Sequence, residues 1–399
     1  MRENAKVIIY PYSPKSIGLT SDKLQKNTII VAPYAMKEHY LNYNQDNVLF
    51  VRSYNYTSIV DIIQELVKKY ILLEFIVLSE QDIEFGGFLN DFYGSCKIAQ
   101  GLTNATLYRN KYFMRTCLKG KVNQPEFYLV RSKPMIYNIC NKSNKFWIMK
   151  PLSKDSAQGI IKIDEQNLKK VELYEESYIL EEMIEYEVMY TTDGICVGQD
   201  IVEFFINQYD KPILETFGNS KRHITRTHSL DLDKRLKEML FESTKIILET
   251  FNKHGEVLPF HMEWFFTKDA DVIFCEAASR FGGKIGSLIQ TCYDFSIFDR
   301  YWDIKLSNKD VVFTSFNEIR NPEKISFNYS AYKNNGKLTF IPKFENKNVN
   351  FKVELNQNYV ASSTIQENAF ELYETYNSER EYVEAIQKLD KLSSSLIYE

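Results

Sequence analysis

Glycine and proline are scarce, 15 and 10 of 399 residues, which excludes collagen-like, low-complexity and disordered chains. With 44% apolar and 26% charged residues the chain can bury a sizeable core, and its length suggests roughly two or three domains. Neither sign of charge dominates: 49 Lys and Arg against 53 Asp and Glu give a formal net charge of −4. The basic field that would concentrate nucleic acid or an anionic membrane is therefore missing. Long apolar runs are missing too. The most apolar stretch, ILLEFIVL at 71–78, is too short and carries a charge, and the opening MRENAKVIIYPY has an acid where a leader needs basic residues. A cytoplasmic location is expected. The six cysteines (Cys96, Cys117, Cys140, Cys196, Cys275 and Cys292) show no CxxC or CxH spacing, so neither a zinc ribbon nor a disulfide framework is indicated. The five histidines contain no HxxxH pair.

What is present falls into sections. Between 1 and about 105, short β-branched runs (KVIIY, NTIIVA, DNVLFVR, FIVLSEQD) alternate with a helical pattern, TSIVDIIQELVKKY. Strands alternating with helices predict a small α/β domain with a parallel sheet, Rossmann-like but without GxGxxG, so no dinucleotide is expected. From 106 to 300 the texture becomes α+β. A first part, 106–180, holds PEFYLV, KFWIMKPL and QGIIKI; a second, 181–300, holds EVMYTTDGICVGQDIVEFF and the long helical pattern DLDKRLKEMLFESTKIILETFN. The last section, 301–399, has short strands and a helix, EREYVEAIQKLDKL, and reads as an appended α/β cap.

Two acids stand out. FHMEWFF and DVIFCEA bracket a turn at Asp269 and Ala270, and that hairpin makes Glu263 and Glu276 direct cross-strand partners, with Ala278 facing His261. Opposed like charges with Cβ atoms about 4.5–5.5 Å apart destabilise a sheet unless a cation, a shared proton or solvent relieves them. A hard divalent ion would. Met262, Trp264, Phe266, Ile273 and Cys275 are expected on the opposite, apolar face, so Cys275 and His261 should not meet as a nucleophile pair. After Glu276 comes Arg280-Phe281-Gly282-Gly283-Lys284, a cationic, glycine-containing loop suited to phosphate oxygens.

In this order the segments resemble the ATP-grasp carboxylate–amine ligases, of the kind related to L-amino-acid (dipeptide) ligases of antibiotic pathways, over roughly residues 85–300. The motifs that carry the resemblance are RNKYFMRTCLKGKVNQPEFYLV, WIMKPLSKDSAQGI, YILEEMIEYEV and FHMEWFFTKDADVIFCEAASRFGG. It implies an ATP-grasp fold with an N-terminal Rossmann-like (pre-ATP-grasp) domain and a C-terminal α/β cap. By the same resemblance, Lys111 and Lys150 contact ATP phosphates, and the loop Ser153–Gly159, with Ser156 and Gly159, folds over them with backbone donors. That loop is poorer in glycine than the family pattern. Glu181, Glu182, Met183 and Ile184 match the hinge whose backbone reads adenine, and Glu187 the acid on the ribose. Glu263 and Glu276 match the ligands of Mg²⁺, two ions in the family pattern, with Mn²⁺ as a substitute. Arg280 matches the arginine that steadies the acyl phosphate. Ala278 departs from the pattern, which often has a metal-ligating Asn there; His261 or a water is expected to fill that place.

The implied reaction activates a carboxylate as an acyl phosphate and joins it to an amine, giving ADP and phosphate. Two alternatives stay open: loading of an amino acid onto the phosphopantetheine thiol of a carrier protein, and a non-catalytic ATP-binding scaffold or sensor. Expected partners are small carboxylate and amine substrates, with homodimerisation a further implication of the resemblance. For the substrate, Arg222, His223, Arg226 and His228 are candidate carboxylate binders, with an exposed basic loop as the equal alternative, and Gly282 and Gly283 line the approach.

Overall fold

The β-branched runs at the N-terminus form a parallel sheet, as their alternation with helical sequence requires. β1 (Glu3–Ile9), β2 (Thr28–Pro33), β3 (Val48–Val51) and β4 (Tyr70–Val77) stand in the order β3-β2-β1-β4. The helix Tyr56–Lys69 makes the crossover from β3 to β4. Its N-cap Asn55 accepts from the Ser58 amide, and Ile59, Ile63 and Leu66 recur at helical spacing on its buried face. The computed structural model describes residues 2–155, 158–170, 173, 177–211, 222–253, 255–307, 311–344, 349–362 and 367–399.

A second, antiparallel sheet follows in the order β5-β8-β6-β7, from β5 (Phe127–Leu129), β6 (Trp147–Pro151), β7 (Ile161–Lys162) and β8 (Tyr178–Glu182). Ile136 of the helix Lys133–Asn141 packs with Trp147, Met149 and Leu180 to form its small core.

The largest sheet has eight antiparallel strands in the order β13-β12-β9-β10-β11-β14-β18-β16. They are β9 (Val188–Val197), β10 (Asp200–Tyr209), β11 (Arg222–Thr227), β12 (Val257–Phe266), β13 (Val272–Ala278), β14 (Ile325–Tyr332), β16 (Asn350–Phe351) and β18 (Asn368–Tyr376). EVMYTTDGICVGQDIVEFF is thus two strands, reversed at Gly198 with φ 63°, a left-handed conformation in which a Cβ is strained. The long helix Lys234–Phe251, capped by the Asp233 side chain, lays Leu240, Ile247, Leu248 and Phe251 against Phe260, Met262 and Trp264. β14 and β18 come from the section expected as an appended cap, yet they extend the central sheet through β11, so its hydrogen bonds run on past residue 300. Beyond them β15 (Gly336–Phe340), β17 (Asn358–Tyr359) and β19 (Ile397–Tyr398) make a small sheet, and the helix Glu379–Ser394 packs over β14 and β18.

The N-terminal sheet docks on the central one through a shared cluster that includes Ile8, Ile30, Phe205, Ile289 and Trp302. Within it, the Trp302 indole donates to the Ile17 carbonyl at 2.8 Å. This docking brings the C-terminal end of β4 against the C-terminal end of β13. Among the described residues, no helix is long and apolar enough to cross a membrane.

Candidate active site

The N-terminal, second and central sheets, with the loops that leave them, contribute to a cleft of about 780 Å³. The hairpin forms one wall. Glu263 on β12 pairs with Glu276 on β13 and His261 with Ala278, the expected partners, although beside the turn Phe266 pairs with Val272, so the turn centres on Asp269 and not between Asp269 and Ala270. Just beyond Glu263 the register slips by one residue, so that Trp264 pairs with Phe274. This bulge corrects the expected face assignment. Phe274 goes to the core with Trp264, whereas Ile273 pairs with Phe265, and Cys275 joins Met189 and Tyr209 on the cleft side with the acids. Cys275 and His261 therefore share the cleft after all. Burial pushes the Cys275 thiol up, away from the thiolate a nucleophile needs.

The other side is a buried ion cluster. Lys150 on β6 reaches Glu181 on β8, Nζ to Oε2 at 2.7 Å, and Arg115 of the helix Lys111–Leu118 meets the same carboxylate, Nε to Oε1 at 2.9 Å. Burial alone would raise the Glu181 carboxyl, but Arg115 and Lys150 outweigh it and hold it at about 2. Burial likewise opposes the Lys150 charge, and Glu181 outweighs it, so the ammonium is raised. Glu181 thus contributes its carboxylate, a role its place in the hinge motif did not announce. Arg115 also donates to the carbonyls of Phe274 (3.1 Å) and Cys275 (2.6 Å) at the bulge.

Lys111 opens its helix behind the N-cap Asn110, and its Nζ lies 2.7 Å from the Lys154 carbonyl and 3.4 Å from Glu276 Oε2. Burial would raise the Glu276 carboxyl, yet Lys111 beside it lowers it on balance. In the β6–β7 loop Lys154, Asp155 and Gln158 line the cleft; Gly159 turns there with φ 71°, and Ser156 lies outside the described residues.

Some expected positions are not where the motif placed them. The Met183 amide is already donated to the Phe146 carbonyl at 2.8 Å and the Glu182 amide to Glu126, although Glu182, Met183 and Ile184 all line the cleft. Glu185 lines the cleft; Glu187 is exposed outside it, with its amide on Phe266. On β11, alternation divides the substrate candidates: His223 and Thr225 face the cleft, while Arg222 pairs with Asp210 and Asp390, and Arg226 pairs with Glu379 at 2.5 Å. His228 lies beyond the strand end, Nδ1 against the Ser229 carbonyl at 2.6 Å, and does not line the cleft. Burial lowers the His223 imidazole to about 4, so it is neutral near pH 7. Gly282 packs so closely that a Cβ would come 2.6 Å from His261 Nδ1, while Gly283 is open.

His261 is held through Nδ1 by Asp193 at 2.7 Å, and its Nε2 stands 3.5 Å from Glu263 Oε1, which also accepts from the Tyr209 hydroxyl at 2.9 Å. Burial disfavours its charge, but Asp193 outweighs this and raises it to about 9. As placed, His261 turns Nε2 toward Glu263. Arg280 meets Glu80 from the turn after β4, a residue no motif pointed to. Burial opposes the Arg280 charge; Glu80 outweighs it and raises it.

Glu263 and Glu276, oxygen donors on one face, suit a hard divalent ion that takes its remaining ligands from phosphates and water. Among the described residues, no group of three or more His, Cys, Asp or Glu side chains is placed to hold a metal by itself.

No family model matches the sequence, and no curated protein matches it. Solved structures do match over its whole length. The L-amino acid ligase from Bacillus licheniformis aligns with 100% of both chains at TM-score 0.72 and 15% identity. Phosphoribosylglycinamide synthetase from Anaerococcus prevotii aligns with 100% of both at TM-score 0.66 and 14% identity. Carboxyaminoimidazole ribonucleotide synthase from Aspergillus clavatus, complexed with ATP, aligns with 99% of both at TM-score 0.71 and 13% identity. The parallel N-terminal sheet, the two antiparallel sheets and the cleft between them are thus the ATP-grasp fold, present here from end to end.

Proposed function

We propose that the protein is an ATP-dependent ligase that activates a carboxylate, that of an amino acid or other small acid, as an acyl phosphate and joins it to an amine. The observation that carries this reading is the convergence on one cleft of Lys111 from the helix Lys111–Leu118, Lys150 from β6, Glu263 and Glu276 from the central sheet, and Arg280 from the loop after β13. Hydroxide is a poor leaving group, so direct amide formation from a carboxylate fails in water; phosphate leaves readily. A carboxylate oxygen attacks the γ-phosphorus of ATP and ADP departs; the amine then attacks the acyl carbon, phosphate departs, and the amine loses a proton. Lys111 and Lys150 offset the charge of the transferring group, and Arg280 holds the acyl phosphate for the amine. Glu263 and Glu276 would hold Mg²⁺, which when bound neutralises phosphate charge. The rest of the work is positioning, which needs no nucleophilic side chain. The full-length likeness to ligases that include an amino acid ligase supports the class of reaction.

The test is incubation with Mg²⁺-ATP and pools of amino acids, following ADP, AMP and phosphate. ADP and phosphate formed only with a particular acid, and lost on the order of 100-fold or more in Glu276→Ala and Arg280→Ala, are the expected result. AMP would mean adenylation and overturn the acyl-phosphate route.

A further inference from the structure

Glu80 sits where three parts of the molecule meet. It follows β4 in the N-terminal sheet, its side chain is only 14% exposed, and its two oxygens serve different arginines. Oε2 accepts from Arg280 Nε at 2.6 Å and lies 2.5 Å from Arg280 Nη2; Oε1 accepts from Arg109 Nη1 at 3.1 Å. Arg109 Nη1 is in turn 3.8 Å from Asp155 Oδ2 on the β6–β7 loop. The third nitrogen of Arg280, Nη1, donates to the Phe281 carbonyl at 2.9 Å.

A guanidinium carries five N–H groups in a fixed plane. Three of those on Arg280 are engaged, which leaves one on each terminal nitrogen. A planar donor set of this kind recognises an oxyanion well only if its orientation is fixed in advance, because a long side chain must otherwise be ordered when the ligand arrives. Glu80 supplies that restraint with charge-assisted bonds. Both oxygens of its own carboxylate are shared with arginines. Glu276, the metal-ligand candidate, also acts on Arg280, so without Glu80 the guanidinium is left with that carboxylate as its nearby counter-charge.

We propose that Glu80 is a positioning residue that fixes the Arg280 guanidinium with its two remaining N–H groups presented to the acyl group, and that links it through Arg109 to the β6–β7 loop. This rests on the ligase reading, in which Arg280 holds the acyl phosphate.

The test uses the full chain with Glu80→Gln, which keeps shape and removes charge, and Glu80→Asp, which keeps charge on a shorter stem. One arm needs no turnover: phenylglyoxal modification of Arg280 in the absence of substrates, followed by peptide mass spectrometry. Release of the clamp in Glu80→Gln is expected to speed modification about tenfold, with Glu80→Asp in between. In the second arm, acid-dependent ADP formation, Glu80→Gln is expected to lower kcat on the order of 10- to 100-fold while the KM for ATP stays within about twofold, and Glu80→Asp to restore part of the loss. Unchanged Arg280 reactivity overturns the proposal. So does an unchanged kcat with a raised KM for the acid, which would make Glu80 a substrate contact, or a parallel rise in the KM for ATP, which would mean general damage. If the wild-type protein forms no ADP with any acid, the ligase reading falls by itself, and the modification arm still decides whether Glu80 fixes Arg280.

Discussion

Glu181 is 1% exposed and neutralised from both sides, so its two partners cannot be removed cheaply. Arg115→Met should destabilise the protein by about 3–5 kcal/mol in urea unfolding, since it leaves a buried carboxylate with one partner and two carbonyls without a donor. The sign of the pH effect follows from the depressed carboxyl. Its stabilisation is complete above the ordinary carboxylate range, near pH 4.5, and is lost as pH falls toward about 2. Thermal melts of Glu181→Gln should therefore show a shallower loss of stability between pH 4.5 and 2 than the wild-type protein. Lys150 was legible in the sequence because it interrupts an apolar strand just before Pro151, where a solvated lysine fits poorly. Arg115 was not: one arginine on an amphipathic helix looks like any surface charge, and only the tertiary fold turns it inward. Glu80 was hidden for a similar reason, since its partners lie 29 and 200 residues away.

At the scale of elements, periodicity was the reliable guide and local irregularity the unreliable one. The acidic hairpin was readable from the two strands around its turn, but nothing in VIFCEA marks the bulge that moves Cys275 across the sheet and brings Glu276 opposite Glu263, because a β-bulge costs one extra residue and needs no special side chain. On β11 the alternation was there to be read. RHITRT places His223 and Thr225 on one face and Arg222, Ile224 and Arg226 on the other, so the histidine and the arginines could not both face one ligand. Arg226→Ala should accordingly leave the KM for the acid unchanged within about twofold and lower the melting temperature, because the side chain serves Glu379 and the Tyr382 ring. Gly194 in β9 is required by a close approach: a Cβ there would lie 1.9 Å from the Glu203 carbonyl on β10. Gly194→Ala must part the two strands, and a loss on the order of 2 kcal/mol or more in urea unfolding is expected.

For the whole molecule, the N-terminal α/β domain could be read from strand and helix alternation, whereas the run of the central sheet past residue 300 could not, since pairing between β11 and β14 joins segments about a hundred residues apart with no local signal. That continuity gives the sheet two outer boundaries, and the acidic hairpin stands at one of them, with β13 as the last strand. A terminal strand is open to recruitment by a second chain unless its outward amides and carbonyls are occupied. In the middle of β13 they are occupied from within: the Phe274 amide by the Asn123 carbonyl, and the carbonyls of Phe274 and Cys275 by Arg115. The arginine that braces the floor of the cleft is thus also a guard against fibrous self-association. Arg115→Met should scatter light increasingly with protein concentration even below its melting temperature, a hazard of growth by strand addition that its loss of stability alone would not produce.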